Sequence, residues 1–293
     1  MASPSALRAQ ALLEFELPAA PQRVDELPSG PGVWIDRVQA PAGRFQLVCA
    51  EGALAVAFEA TLFDLLAESR YPAPRPRRPR GGGLIAKLDR PGGHAGAACY
   101  PLGAGEHLEP AKATTPQLLE IGRLLARLQQ IGEAHPASVP PALSCRELAG
   151  RLPAGGEAEV LAPALRVDLS SLPAGACHGR LGSRQALFIG DRISVVVPSG
   201  EAHSGPLVLD LARAACGWGV TAAEPLPAVR AVISGYQALR RLDPEERDAL
   251  YPALLCAAAR EGAVALLAGQ PDALAALRSI EALGEKQVRA AAG

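Results

Sequence analysis

Residues 172–199 read LPAGACHGRLGSRQALFIGDRISVVVPS. Three short apolar runs stand in this stretch: Ala176 to His178, Ala186 to Ile189, and Ile193 to Val197. Gly190-Asp191, between the last two, is the kind of pair that closes a β-hairpin. Between the first two runs, directly after His178, lies a polar stretch carrying Arg180, Arg184 and Gln185. The spacing predicts a compact β-rich segment that presents one polar loop.

The sequence downstream has a different period. Segments 206–217, 225–239, 244–262 and 271–290 all read as helices. Upstream, Thr115 reads as the N-cap of a helix running to about Gln130, with Leu118, Ile121, Leu125 and Leu128 on one face. A second helix is predicted over 144–151. Before Gly103-Ala104-Gly105, which reads as a hinge, strands predominate: Val33 to Ile35, Phe45 to Cys49, Leu84 to Leu88 and Ala97 to Leu102, with a hairpin turn at 40–43. Residues 8–17 read as a helix or a strand. One amphipathic helix is expected over 52–68, with Leu54, Phe58, Leu62, Leu65 and Leu66 as its apolar positions, ending at Pro72. The basic, Pro-rich run Arg75 to Arg80 is predicted to be a loop with a short strand before it, either a solvated tip or a contact for phosphate or a partner. His94 and Gly92-Gly93 are placed in a loop. The expected class is α+β: a small β-rich N-terminal lobe over 1–102 and a larger helical lobe over 103–293.

Composition narrows the function classes. The 293 residues carry 29 basic and 30 acidic side chains, a net charge of −1, so the footprint of a nucleic-acid binder is missing. Aromatics are 4%, which predicts a core of Leu, Ala and Val. Lys87, Lys112 and Lys286 are the only lysines. No run of about 18 uninterrupted apolar residues is present, and no membrane span or signal peptide is expected. The six cysteines are scattered without a C-x-x-C pair, which predicts free thiols in a reducing cytoplasm and no zinc site.

The order of motifs resembles the bacterial homoserine kinases of the aminoglycoside-phosphotransferase and choline-kinase superfamily. Leu172, Pro173, Gly175, His178, Leu181, Leu187, Phe188, Gly190 and Asp191 follow the pattern of their catalytic region. Asp210-Leu211-Ala212 with Trp218, Tyr236-Gln237-Ala238 with Leu242, Glu245 and Glu246, and Gly122 with Leu125 to Leu128 are similar to flanking segments of that family. The resemblance runs from about 27 to 265. It implies a protein-kinase-like bilobal fold and ATP-dependent transfer of phosphate to a small-molecule hydroxyl.

It also implies which positions would do the chemistry. Phosphoryl transfer needs an Asp beside the attacking hydroxyl, an Asn five residues later on a metal ion, and a second metal-binding Asp at the end of the following strand. By the resemblance these positions are Arg180, Gln185 and Pro198, followed by Ser199. The phosphate-pairing Lys position is Val48, and the helix Glu that steadies it is Glu59. Pro28-Ser29-Gly30-Pro31-Gly32 is the counterpart of the glycine-rich turn, with two prolines that remove backbone donors. A cation at 180 cannot serve as a base, and proline offers no side-chain ligand. His178 and Asp210 are implied to be structural. Arg180 either receives an anion, with Arg184 adding charge, or pairs with Asp210 or Glu201.

Two functions follow as expectations. The first is a pseudokinase that binds a partner protein or a small anionic ligand through His178, Arg180, Arg184, Gln185, Glu59 and Asp210, with no cofactor and no metal. The second is a small-molecule phosphotransferase using ATP and Mg²⁺ with relocated carboxylates, Glu201 or Asp191.

Overall fold

The computed structural model describes residues 4–17, 21–27, 32–90 and 93–292. Pro28 to Pro31 of the glycine-rich turn, and Gly92, lie outside the described residues. In the N-terminal region, α1 (Pro4–Glu14) precedes the strands β1 (Arg23–Leu27), β2 (Val33–Ala40) and β3 (Gly43–Ala50). Then come α2 (Ala53–Glu68), β4 (Ala86–Arg90) and β5 (Gly93–Leu102). The strands form one antiparallel sheet in the order β1-β2-β3-β5-β4. The β2–β3 hairpin turns at Pro41-Ala42 and closes on Gly43, whose φ of +128° a side chain would rarely adopt.

Strand β3 is buried on both faces, and its alternation assigns each residue a side. Phe45, Leu47 and Cys49 pack under α1 with Leu7, Leu12 and Phe15. Val48 and Ala50 face α2 and the rest of the molecule, in the same cluster as Phe58 and Phe63. That second cluster continues without a break into the C-terminal helices.

The C-terminal region follows from Gly103 onward, where strand pairing changes hands. Strand β6 (Glu106–His107) pairs with a later strand rather than with the N-terminal sheet. Next come α3 (Thr115–Gly132), α4 (Cys145–Arg151), α5 (Glu157–Leu165), β7 (Ala174–Cys177), β8 (Ala186–Ile189), β9 (Arg192–Val196) and β10 (His203–Pro206). The helices α6 (Leu207–Gly219), α7 (Pro225–Gln237), α8 (Pro244–Leu267), α9 (Ala275–Leu283) and α10 (Glu285–Ala292) complete it. The pairings are β7 with β10 and β6-β8-β9. α3 and α7 touch backbone to backbone: a Cβ on Gly122 would lie 2.0 Å from the Val232 carbonyl oxygen, and one on Gly235 2.1 Å from that of Leu119. Both positions therefore require glycine.

Several expectations are corrected. Leu54 is 74% exposed, and the buried face of α2 is Val56, Phe58, Glu59, Leu62, Phe63 and Leu66. Among the described residues no strand lies between α2 and Arg75, and the run itself makes only an isolated bridge between Arg77 and Cys99. That basic run spends its charge locally: Arg75 pairs with Asp64 and Glu68, Arg80 with Glu16, and Arg77 lies over the Phe45 ring. His94 is on β5, beside Asp89. The cap of α3 is Thr114, one residue early, in a capping box with Gln117. Helix α5 and strand β10 had no periodic signal. The segment 271–290 is two helices, broken at Gly284 with φ +73°. Helix α8 is long and apolar enough to cross a membrane, but 56% of its most apolar window is buried within the protein, as in a core helix.

Candidate functional site

The loop after β7 is held from below. The Asp210 carboxylate, in the first turn of α6, accepts from the backbone N–H groups of His178 and Gly179, both at 2.9 Å. The His178 ring is fully buried and bonds the Val197 carbonyl at 3.0 Å, tying the loop to the end of β9. Burial lowers its pKa, so the ring is neutral. The Ser199 hydroxyl donates to the His178 carbonyl at 2.7 Å, and Trp218 donates to Leu181. His178 and Asp210 thus act on the backbone and stand away from open space.

Across the loop, Glu59 of α2 is completely buried and meets no cation. Its Oε1 accepts from the N–H groups of Ser199 at 3.0 Å and Gly200 at 2.8 Å, while Oε2 has no partner. Burial pushes its carboxyl up to about 7 against those hydrogen bonds. Val48 packs close to Gly200: a Cβ there would lie 2.7 Å from Val33, 3.3 Å from Val48 and 3.4 Å from Ile35. The polar β3 side chain that reaches this loop is Gln46, two residues before Val48, whose amide donates to the Pro198 carbonyl at 2.6 Å. Alternation along β3 puts Gln46 on that face, and this was the available signal for it.

The charges gather at one residue that the resemblance did not single out as the centre. Glu201 is met by three guanidiniums: Arg213 at 2.6 Å, Arg260 at 3.1 Å and Arg180 at 3.5 Å. Burial alone would raise its pKa, but the three cations outweigh it and hold the carboxyl at about 2. Arg180 also reaches Glu261 of α8 at 3.1 Å. It does not pair with Asp210, whose oxygens are taken by the loop. Asp191 sits at the β8–β9 hairpin tip near Thr114, at 3.4 Å.

Two cavities lie around the loop, and the first reaches this cluster. One, of about 380 Å³, has Arg180, Arg184, Gln185, Arg213 and Glu261 on its walls. The other, of about 500 Å³, lies between the sheet and the hinge and is lined by Val38, Phe45, Leu102, Leu187 and His107, with Arg37 and Arg44 at its edge. Arg184 is tied through its carbonyl to Arg37. Of the candidate residues, Arg180, Arg184 and Gln185 share the first cavity, while His178, Glu59 and Asp210 support the loop behind it.

The fold is shared with known kinases. An amicoumacin kinase in complex with AMP-PNP, Ca²⁺ and its ligand superposes with a TM-score of 0.74 at 12% identity, covering 98% of this chain and 93% of that one. The aminoglycoside phosphotransferase APH(4)-Ia, with AMP-PNP and hygromycin B, gives 0.58 at 14%, covering 96% and 99%. In sequence, homoserine kinase of Rhizobium meliloti (strain 1021) is 30% identical over 149 residues, covering 45% of each chain. That of Methylobacterium nodulans is 29% identical over 215 residues, covering 67% of this chain and 63% of the relative. The chain is similar in sequence to homoserine kinases and shares the fold of these phosphotransferases. It spans 45% to 63% of the length of these curated relatives, and no family model matches it.

By the resemblance, the position of the phosphotransfer base carries a cation, and the two positions that would hold magnesium carry a neutral amide and an imino acid. The nearest carboxylate, Glu201, is already neutralised by three arginines, and among the described residues no group of three His, Cys, Asp or Glu is placed to hold a metal ion. The donor set does not fit a divalent cation.

Proposed function

We propose that this homoserine-kinase-like chain is a pseudokinase. It binds a small anionic ligand in the 380 Å³ cavity beside Arg180 and does not transfer phosphate. The observation that carries this reading is the place and partners of Arg180. By the resemblance it occupies the position of the phosphotransfer base, and its guanidinium spans Glu201 and Glu261. Arg180 and Arg184 suit a phosphate or carboxylate. Glu261, 41% exposed, offers an acceptor for an amino group on the same ligand. An amino acid or its phosphate ester meets both demands. The reading takes 1–102 and 103–293 as the two lobes and places the protein, with its six free thiols, in a reducing cytoplasm.

The test is calorimetric titration of the whole chain with homoserine, its phosphate ester and inorganic phosphate, alongside ATP with and without Mg²⁺. The reading expects the phosphate ester to bind and the Arg180→Gln variant to lose at least tenfold in affinity. Magnesium-dependent ATP binding, or phosphate transfer to any of these hydroxyls, overturns it.

A further inference from the structure

A second polar cluster lies on the far side of Arg213 and Arg260, at a third cavity of about 460 Å³. Its walls are largely apolar, with Leu143, Leu165, Leu169 and Leu209, yet two thiols open onto it, Cys145 and Cys256. Cys145 is the first residue of α4 and Cys256 lies mid-way along α8. We propose that these two form an oxidation-responsive thiol pair: Cys145 is the residue a small hydroperoxide oxidises, and Cys256 resolves it to a disulfide that ties α4 to α8.

The pairing is built by Arg260. It lies one turn beyond Cys256 and so on the same face of α8. Its guanidinium donates to the Leu143 carbonyl at 2.9 Å, two residues before Cys145. That bond fixes the start of α4 over α8, where both cysteines line the same cavity. Cys145 is also the one cysteine of the six that is only partly buried.

The surroundings select Cys145 as the nucleophile. The hydrogen bond from Cys256 and the charges of Arg260 and Arg213 outweigh burial and hold the Cys145 thiol below the ordinary range. The other charged or titratable groups on the cavity are Arg146, Arg166, Asp168 and His203, the last kept neutral by burial. Elsewhere burial dominates: Cys49 and Cys99 are pushed up to about 12, and Cys177 and Cys216 are raised further. Cys256 is raised chiefly by its interaction with Cys145, with burial second. Of the six thiols, Cys145 is the one held below its ordinary range.

The chemistry balances with the hydroperoxide as oxidant. The Cys145 thiolate attacks the terminal peroxide oxygen, the O–O bond breaks, and the alkoxide or hydroxide leaves with a proton from water. Cys145 is then a sulfenic acid. The Cys256 sulfur attacks the Cys145 sulfur, the S–O bond breaks, and the hydroxide departs as water with the Cys256 proton. Two thiols lose two electrons and the peroxide gains them. A thiol reductant reverses the bond by exchange.

The test treats the reduced, full-length chain with one equivalent of hydrogen peroxide and maps it by mass spectrometry without reductant. The expected product is a Cys145–Cys256 linked peptide with four thiols left free. In Cys256→Ala, dimedone should trap a sulfenic acid on Cys145 and no disulfide should form. A measurement on the unaltered protein guards against misfolded variants: at pH 7, iodoacetamide should alkylate Cys145 at least tenfold faster than each other cysteine. Oxidation spread over several cysteines, disulfides between molecules, or a Cys145 alkylated no faster than Cys177 would overturn the proposal.

Discussion

Replacing Glu201 by glutamine keeps the shape of the side chain and removes the one carboxylate that three arginines share. Arg213 and Arg260 have side chains only 6% and 9% exposed, so neither can recover hydration in place. Folding takes the Glu201 carboxyl from its ordinary 4.5 down to about 2. At about 1.4 kcal/mol per pKa unit, the ionised group contributes about 3 kcal/mol to stability. The cost of stranding a buried charge, about 3–5 kcal/mol, agrees. The sign follows from a depressed folded-state pKa: the contribution is complete above pH 4.5 and fades as pH falls toward 2. Urea unfolding followed by circular dichroism, on both proteins from pH 3 to 8, measures it. The expected gap is about 3 kcal/mol from pH 5 to 8, falling to roughly half by pH 3. A gap below about 1 kcal/mol at pH 7, or one that does not shrink between pH 5 and 3, would refute the assignment of Glu201 as the electrostatic centre.

Glu59 has the opposite sign. Its folded-state pKa is raised to about 7, so stability is full below pH 4.5 and declines as pH rises through 7. Glu59→Gln keeps the acceptor for Ser199 and Gly200 and should be more stable than the parent by about 2–3 kcal/mol at pH 8, yet equal to it at pH 4.5, by urea titration. Asp210→Ala strands two buried N–H groups and should cost about 3 kcal/mol in the same assay. Gly122→Ala drives a Cβ into the Val232 carbonyl and should cost about 3 kcal/mol, read as a drop in urea midpoint. Leu54→Ser, on an exposed face, should change stability by less than about 0.5 kcal/mol.

How much the sequence disclosed depends on the kind of order involved. Local order was legible: the Gly190-Asp191 turn, the period of α2 and the β2–β3 hairpin lie where spacing put them. Leu54 shows the limit: the first turn of α2 meets β5 through Ala53 and Val56, and Leu54 is left facing out. Helix α5 was hidden by Gly155-Gly156 before it and Pro163 within it, and β10 by its composition, His-Ser-Gly-Pro. Arg180, Gln185 and Pro198, which the resemblance aligns with the chemical positions, could be seen one by one. What could not be seen was their new context. Arg180, Arg213 and Arg260 converge on Glu201 from three separate elements, and only the packing of α6 against α8 brings them together. Likewise, Cys145 and Cys256 show no motif in sequence and meet through an arginine bound to a backbone carbonyl.

The contact of Glu59 with Ser199 and Gly200 spans 140 and 141 positions, and that of Gln46 with Pro198 spans 152. A chain made from its N-terminus on the ribosome therefore completes α2 long before the N–H groups that receive its buried carboxylate exist. Until about residue 200 is free of the exit tunnel, Val33, Ile35 and Val48 also lack the surface they cover. The N-terminal sheet is thus obliged to wait in a half-finished state, and its final docking is set by the slow closure of a very long loop. A truncation before residue 198 should leave that sheet protease-sensitive, although every strand of it is present.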